Sequence, residues 1–562
     1  MRHLFSFPGE SCSGRLPCIS LVILAAALLS CNPKIPFIES IDPKIGRAGE
    51  VITIRGLHFG AERDESYVTI AGISPTSSSY MAWNNDHIIL KTPELGEAGL
   101  IYVYVKGRKS NGALFANQAS MPRPAQGEDT GFDPRITSIS PQSSPIGTTL
   151  TITGNNFGSS RERSAVYFNW EGEQFLSTPP EARTSEYIEV SETEYGYELW
   201  SEREIRVRIP DGAASGNIFV RTLRGDSRPF FYDVSGKPGT KTFGDKRSYT
   251  INYSVSIKVN EAYGSNTLYL WIPQPSASAA QRSIELLSRN MEPFVENYRG
   301  TNLYRLINLT SKSDVHINLN YKLDVYAVET QVRAQSVRQE EDSAVRAAYT
   351  LADSLIPSTD SIIKAQANAL AGQERNPYLK ALRIYEWLIN ECTIRPGPDT
   401  EDTAGKETPL TLTEALTSKQ LDTYTAALLF CTLGRASGIP CIPVSGVLVN
   451  RNRQIRKHYW AEFWIDGLGW IPVDPGMAAD AVPPAFRVRT DAARYYFGNT
   501  DSRRIAFSRG QTIMSPMDQR GRAIGRTRSY SLQNLWEEAA GDLESYSSLW
   551  GDITVTGIYG QQ

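Results

Sequence analysis

The chain has 562 residues and, at roughly 150 residues per domain, predicts several folded units rather than one. Its 58 Lys and Arg residues almost balance its 61 Asp and Glu residues, and the net charge of −3 excludes a dedicated nucleic-acid binder. With six Cys and five His residues, the chain is neither a disulfide scaffold nor an array of zinc fingers.

The first 30 residues predict an export signal. The apolar run Ile19–Leu29, interrupted only by Ser20, has the length of a signal-peptide core and is too short to span a bilayer. It ends in Leu28-Leu29-Ser30-Cys31, which resembles the lipobox of bacterial lipoproteins. This resemblance implies that residues 1–30 are a lipoprotein signal peptide, that Cys31 is lipidated, and that the mature protein is anchored to a membrane of the cell envelope. The alternative is an ordinary secretory cleavage site with an incidental cysteine.

An internal repeat follows the signal. Pro36–Pro43 (PFIESIDP) matches Pro134–Pro141 (PRITSISP), and the match continues without a gap at a constant offset of 98 residues. Alternating β-branched residues, as in Val51–Gly56, predict the short strands of a β-sandwich. The repeated pattern resembles the IPT/TIG type of immunoglobulin-like domain. We therefore predict two such domains, over residues 35–120 and 133–234.

The repeated domains have two possible roles. As binding modules they would recognise an envelope protein or a glycan, and as spacers they would form a stalk that lifts the rest of the chain off the membrane. Two segments rich in Pro and Gly, Met121–Gly131 and Ser235–Thr240, predict flexible joints.

The pattern changes twice after the repeats. Residues 246–332 continue the alternation of a β unit, without the repeated signature. Near Gln339 the periodicity becomes helical, and Tyr378–Ile389 carries an apolar stripe that requires a partner surface. We predict an α+β domain over residues 338–500.

The most informative segment lies inside this α+β domain. Asp422 and Thr423 are good helix caps, and they predict a helix that begins near Asp422 and stops at Gly438. His458–Ile465 alternates as a strand, and Trp470–Pro475 forms the return strand after a tight turn. An antiparallel hairpin brings Asp474 close to His458, so that the carboxylate can orient the imidazole.

The helix ending in R-A-x-G-I-P and the later H-x-W-x-E-F with G-W-x-P-x-D-P resemble the transglutaminase-like domain of bacterial proteins, a papain-like Cys-His-Asp fold. The resemblance covers roughly residues 246–478. It implies that His458 corresponds to the catalytic His and Asp474 to the catalytic Asp. The family's nucleophile is a Cys at the start of the helix, and this chain has Thr423 at that position.

The replacement has a chemical cost. A Cys at a helix N-terminus beside a His reacts as a thiolate, whereas a Thr hydroxyl gains far less from the helix dipole and carries an additional methyl group. Cys431 is no substitute, because eight residues along a helix correspond to about 80° of rotation and ~12 Å of rise from Thr423. Cys441 belongs to the turn after the helix, and Cys392 ends the preceding helix, from which it could fold over the site.

Three interpretations remain open. The domain has lost its chemistry and acts in binding or envelope organisation, with Thr423 as a plain helix cap. Alternatively, Thr423 is a nucleophile activated by His458 and Asp474, which gives amide hydrolysis or acyl transfer on an envelope protein or peptide. In the third interpretation, His458 and Asp474 form an acid/base pair for other chemistry. No cofactor is predicted, and no second His or Cys lies at metal-ligand spacing from His458.

Two further patterns have alternative explanations. The cluster of Trp460, Trp464 and Trp470 suits core packing better than a platform for sugars. Arg487–Arg528 contains ten Arg and no Lys, and it could face an anionic polymer or lipid headgroups, or form a solvated loop. Residues 501–562 are predicted to be an Arg-rich C-terminal extension, with a helix around Asn534–Ser545 and a strand over Ile553–Tyr559.

Overall fold

The computed structural model describes residues 35–46, 49–93, 99–117, 132–172, 187–192, 194–338, 344–397, 411–518, 520–526 and 528–560. The predicted signal peptide, Cys31 and the Met121–Gly131 segment lie outside these ranges. Within them, no helix is both long enough and apolar enough to cross a membrane. The chain divides into two compact units, residues 1–121 and 122–562, and each is described by itself.

The first repeat is a β-sandwich of two sheets, with strand orders β1-β3-β6-β5 and β2-β9-β7-β4, and β8 pairs with β7. Its strands are β1 (Phe37–Asp42), β2 (Ile45–Gly46), β3 (Val51–Leu57), β4 (Tyr67–Ile70), β5 (Tyr80–Trp83), β6 (His87–Lys91), β7 (Gly99–Val105), β8 (Arg108–Lys109) and β9 (Ala113–Asn117). Alternate residues, such as Ile52 and Ile54 of β3, are fully buried between the sheets.

The second repeat has the same architecture, with sheets β10-β12-β16-β15 and β11-β19-β17-β13-β14, and β18 pairs with β17. Its strands are β10 (Arg135–Ser140), β11 (Ser143–Ser144), β12 (Thr149–Asn155), β13 (Ala165–Asn169), β14 (Tyr187–Glu189), β15 (Tyr197–Trp200), β16 (Glu204–Arg208), β17 (Gly216–Thr222), β18 (Gly225–Asp226) and β19 (Phe230–Val234).

A repeated glycine explains part of the sequence match. The pair Ile38↔Gly56 in the first repeat corresponds to Ile136↔Gly154 in the second, with the same register shift after it. A Cβ atom on Gly56 or Gly154 would lie 2.0 Å from a carbonyl oxygen of the neighbouring strand. Only glycine allows this approach, so the position is fixed in both copies.

The third β unit is built around one long strand. Its strands are β20 (Gly239–Pro273), β21 (Gln281–Arg289), β22 (Val295–Tyr298), β23 (Thr301–Ile307) and β24 (Asp314–Val332), in the order β21-β24-β20-β23-β22. Because Gly239 and Thr240 already pair with Val332 and Gln331, the prediction of a flexible joint at Ser235–Thr240 is wrong. The strand of the third unit begins inside the Pro/Gly-rich segment.

The α+β domain contains seven helices among the described residues, α1 (Ala344–Tyr349), α2 (Ser361–Ala371), α3 (Pro377–Glu391), α4 (Leu412–Ser418), α5 (Thr423–Ala436), α6 (Pro475–Ala478) and α7 (Ala492–Tyr495). Its strands are β25 (Thr393–Arg395), β26 (Gln420–Asp422), β27 (Cys441–Val449), β28 (Ile455–Ile465), β29 (Gly469–Val473) and β30 (Arg504–Arg509). The antiparallel sheet β29-β28-β27-β30 packs against the buried helix α5, which positions the candidate site.

The C-terminal residues return to the sheet of the third unit. Strands β31 (Arg522–Ile524), β32 (Glu537–Trp550) and β33 (Thr554–Gly560) follow the α+β domain, and both β32 and β33 pair with β20. The predicted helix at Asn534–Ser545 is therefore wrong, whereas the predicted C-terminal strand is confirmed. Ala539 and Ala540 are good helix formers, but pairing with β20 and burial override that local preference.

The second repeat packs directly on the α+β domain. The amide of Gly467 donates to the carbonyl of Ile146 at 2.9 Å, and Trp464 and Trp470 complete the hydrophobic core of the repeat. Arg509 of β30, whose side chain is 9% exposed, joins Glu194 of the repeat to Glu462 of β28. This copy is therefore not an independent module, since its core is shared with the α+β domain.

The arginines of the Arg487–Arg528 segment are largely paired within the protein. Arg504 is buried and pairs with Asp474, and Arg509 is largely buried and pairs with Glu462. Arg526 contacts buried Glu537, and Arg528 pairs with Asp422. Charges that are already neutralised inside the fold cannot face a polyanion. The predicted anionic-polymer surface and the solvated-loop alternative are both wrong for these four residues.

Candidate functional site

Helix α5 presents Thr423 at its first position. Asp422 is the N-cap, and its side chain accepts a hydrogen bond from the amide of Thr425 at 2.7 Å while its other oxygen pairs with Arg528. The helix ends at Ala436, and Gly438 follows with a φ of +79°, so the predicted extent of this helix is confirmed. Thr423 is only 3% exposed at the buried end of the helix.

His458 and Asp474 are in contact, as expected from the predicted hairpin. His458 lies on β28 opposite Gly446 of β27, and Asp474 directly follows β29. The Nε2 atom of His458 lies 2.8 Å from Oδ2 of Asp474, and the other carboxylate oxygen accepts from the amide of Met477 at 2.9 Å. The exposed fractions are 0% for His458 and 1% for Asp474, so this pair is closed to bulk water.

A glycine connects the pair to Thr423. A Cβ atom placed on Gly476 would lie 2.8 Å from Cγ2 of Thr423 and 3.2 Å from Cε1 of His458. Thr423 and the imidazole therefore approach the same glycine. Among the described residues, the buried Nδ1 of His458 has no hydrogen-bond partner. The structure thus brings together the three predicted residues without a hydrogen bond between Thr423 and His458.

The sequence reasoning missed Arg504 and Asp501. Arg504 donates from Nη1 to Oδ2 of Asp474 and from Nη2 to Oδ2 of Asp501, each at 2.9 Å, and the Tyr496 hydroxyl donates to Asp501 at 2.8 Å. The Arg504 guanidinium also lies 5.0 Å from the ring centre of Trp460, which stacks near His458. The only sequence signal for them was the Asp501-x-x-Arg504 spacing, and it lies within the Arg-rich segment Arg487–Arg528, where it does not stand out.

The network controls the charge of Asp474. Burial by itself raises the pKa of a carboxyl group, but His458, Arg504 and the amide of Met477 outweigh it and hold the pKa of Asp474 below its ordinary value. The pKa of Asp501 is lowered in the same way, against its own burial, by Arg504, Tyr496 and the amide of Arg503. Both buried carboxyl groups are therefore ionised acceptors at neutral pH.

None of the three described cysteines can replace the nucleophile. Cys392, Cys431 and Cys441 are free thiols, so the structure contains no disulfide among them. Burial raises the pKa of Cys392 to about 11 and that of Cys441 to about 12, and it also raises the pKa of Cys431 well above its ordinary value. At neutral pH these thiols carry almost no thiolate, the reactive form of cysteine.

The remaining predictions around the site concern aromatic and metal-binding residues. Trp460, Trp464 and Trp470 are all buried, which confirms core packing and leaves no sugar platform there. Over the described ranges, no group of three or more His, Cys, Asp and Glu side chains is arranged to hold a metal ion.

Comparison with known proteins agrees with the fold and the motifs. Residues 364–475 match the transglutaminase-like superfamily, and residues 36–120 and 134–228 match the IPT/TIG domain. The chain therefore carries two IPT/TIG domains and a transglutaminase-like domain. The predicted fold class is confirmed: all-β immunoglobulin-like sandwiches and a third β unit, together with an α+β domain of the transglutaminase type.

Individual relatives are distant. An uncharacterized protein of Haemophilus influenzae is 26% identical over 176 residues, which cover 27% of this chain and 47% of the relative, so the match spans about half of that protein. A Cytophaga hutchinsonii protein provisionally assigned as a cysteine protease is 14% identical, with a TM-score of 0.33 and coverage of 57% of this chain and 92% of that one. The periplasmic domain of TgpA from Pseudomonas aeruginosa is 13% identical, with a TM-score of 0.24 and coverage of 43% and 92%. These TM-scores carry no information on activity.

Proposed function

We propose that the chain is a lipid-anchored protein of the bacterial cell envelope whose transglutaminase-like domain is catalytically impaired and acts in binding or envelope organisation. The observation that carries this proposal is Thr423 at the N-terminus of α5, where the family has its nucleophilic Cys. An alcohol ionises far less readily than a thiol, and Thr423 has no hydrogen bond to His458 that would remove its proton. The bound partner is an envelope protein or a glycan.

Thr423→Ala tests the loss of chemistry. We expect this variant to correct the defect of a deletion strain as well as the unmodified protein does, because no covalent step depends on the hydroxyl. The measurement is complementation at matched protein levels, with the melting temperature as the control for folding. A folded Thr423→Ala protein that fails to complement would contradict the binding role.

One observation favours a second candidate function. The Nε2–Oδ2 contact between His458 and Asp474 is intact, and Nδ1 has no partner within the described residues. In this alternative, Thr423, His458 and Asp474 catalyse amide hydrolysis or acyl transfer on an envelope protein or peptide. Loss of complementation by both Thr423→Ala and His458→Gln would support it. Loss with His458→Gln alone would support the third interpretation, an acid/base pair without a nucleophile.

The membrane anchor has its own test, because it rests on the N-terminal sequence alone. Cys31→Ser removes the sulfur that would carry the lipid. We expect the variant to move from the membrane fraction to the soluble fraction, since no other anchor is predicted. Cys392→Ser is the matched control and should remain in the membrane fraction. A Cys31→Ser protein that stays with the membrane would contradict lipid anchoring.

A further inference from the structure

Both oxygens of the Asp474 carboxylate have hydrogen-bond partners. Its Oδ2 atom lies 2.8 Å from Nε2 of His458 and 2.9 Å from Nη1 of Arg504, and its Oδ1 atom accepts from the amide of Met477. Arg504 and the amide can only donate, so each oxygen already accepts a hydrogen bond, which favours the ionised carboxylate. As long as Asp474 stays ionised, the hydrogen between it and His458 belongs to Nε2.

Arg504 provides the positive charge that this arrangement needs. A buried carboxylate that faced only a neutral imidazole and an amide would tend to take up a proton, because burial penalises its charge. Arg504 is itself held by Asp501, whose second donor is Tyr496. The phenols of Tyr385 and Tyr496 also face this cluster, and burial raises the pKa of both, so they stay neutral.

We propose that Arg504 is a positioning residue that sets where the proton of the His458–Asp474 pair lies. By keeping Asp474 an acceptor, it holds the imidazole hydrogen on Nε2 and leaves Nδ1 as a bare acceptor. This inference deepens the proposed function and shares its assumption that the surroundings of Thr423 and His458 are the functional site. It also specifies the ligand chemistry: a group that binds at Nδ1 must donate a hydrogen, as a hydroxyl or an N–H does.

The contrast with Arg509 makes the inference specific. Arg509 lies on the same strand and is also largely buried, but its partners are Glu194 and Glu462 instead of Asp474. Loss of either arginine removes one cation from β30. Only the loss of Arg504 removes a positive charge next to Oδ2 of Asp474, the atom that contacts His458.

Nitrogen NMR of the full chain, labelled with ¹⁵N-histidine, reads the proton position directly. The five His residues give a simple spectrum, and the signals of His458 are assigned by their disappearance in His458→Gln. At pH 8 we expect a protonated Nε2 and a non-protonated Nδ1 in the unmodified protein. In Arg504→Gln we expect Nδ1 to become protonated in most molecules, either through exchange of the hydrogen between the two nitrogens or through protonation of both.

Three further variants keep the test decisive. Arg504→Lys retains the charge and should give the spectrum of the unmodified protein, as should Arg509→Gln. Arg504→Met retains the aliphatic length without the charge and replaces Arg504→Gln if that variant does not fold. A protonated Nδ1 in the unmodified protein, or an unchanged Nδ1 after loss of the Arg504 charge, would overturn the proposal. The same change in Arg509→Gln would also overturn it, because the effect would then come from general loosening of the strand.

This readout is separate from the tests of the proposed function. It requires neither turnover nor a bound partner, so an unexpected NMR result leaves the complementation of Thr423→Ala unaffected. Conversely, a catalytic role for Thr423 would appear in complementation while the proton position stayed as proposed. The two ideas can therefore fail independently.

Discussion

Thr423→Cys is expected to create a thiol that iodoacetamide labels selectively, with a thiol pKa well below the ordinary value near 8.5. The new sulfur would lie at the start of α5, a 14-residue helix, beside the intact pair of His458 and Asp474. A helix N-terminus and an adjacent imidazole both favour the thiolate. If the pKa falls to about 6, alkylation at pH 6 should be on the order of ten times faster than for an ordinary thiol, after allowance for the lower nucleophilicity of a more acidic thiol.

The measurement is the rate of alkylation against pH, with peptide mapping to locate the label. The native thiols provide a low background, since burial holds the pKa of Cys392 at about 11 and that of Cys441 at about 12. Thr425→Cys is the matched control, a buried position two residues further along the same helix. The double variant Thr423→Cys with His458→Gln should lose most of the enhancement. An unreactive Cys at position 423 would mean that the pocket itself is not preserved.

Trp536→Ala is expected to lower the free energy of unfolding by about 3–5 kcal/mol, the usual cost of truncating a large buried aromatic side chain. Trp536 is fully buried just before β32, where its ring packs edge-on against Tyr530 and Trp550. It belongs to the core of the third β unit, so the cavity opens where the C-terminal strands join the sheet.

Chemical denaturation followed by circular dichroism measures this loss. Leu549→Ala is the control, because Leu549 lies on β32 but is 70% exposed and should change stability by less than about 0.5 kcal/mol. Equal stability of the two variants would show that residues beyond the α+β domain contribute little to the fold, contrary to their pairing with β20.

Local sequence patterns were enough to predict most elements of the fold. The repeat was visible because Gly56 and Gly154 serve the same close approach in both sandwiches. Helix α5 was predictable because Asp422 caps it and Gly438 ends it. The segment Asn534–Ser545 failed because its strand conformation depends on β20, a partner nearly 300 residues earlier in the chain. Propensity within a short window contains no information about such a partner.

The candidate site also contains residues that local sequence predicts and residues that it does not. His458 lies on one strand of a hairpin and Asp474 directly follows the other strand, and a short turn fixes their approach. Arg504 enters from β30, which pairs with β27 and follows β29 only after the short helices α6 and α7, so no local spacing relates it to Asp474. The packing of the second repeat was missed for a similar reason, because Trp464 and Trp470 look like ordinary core residues of their own hairpin.

The pairing of β32 and β33 with β20 also sets an order of events in biosynthesis. Val255 pairs with Trp550, so β20 acquires this neighbour only after the residues between them have been synthesised. Pairing between such distant segments slows folding and exposes an unpaired strand edge in the interval. A chain that ends before β33 cannot close this sheet, so synthesis through Gly560 is a precondition of the native fold.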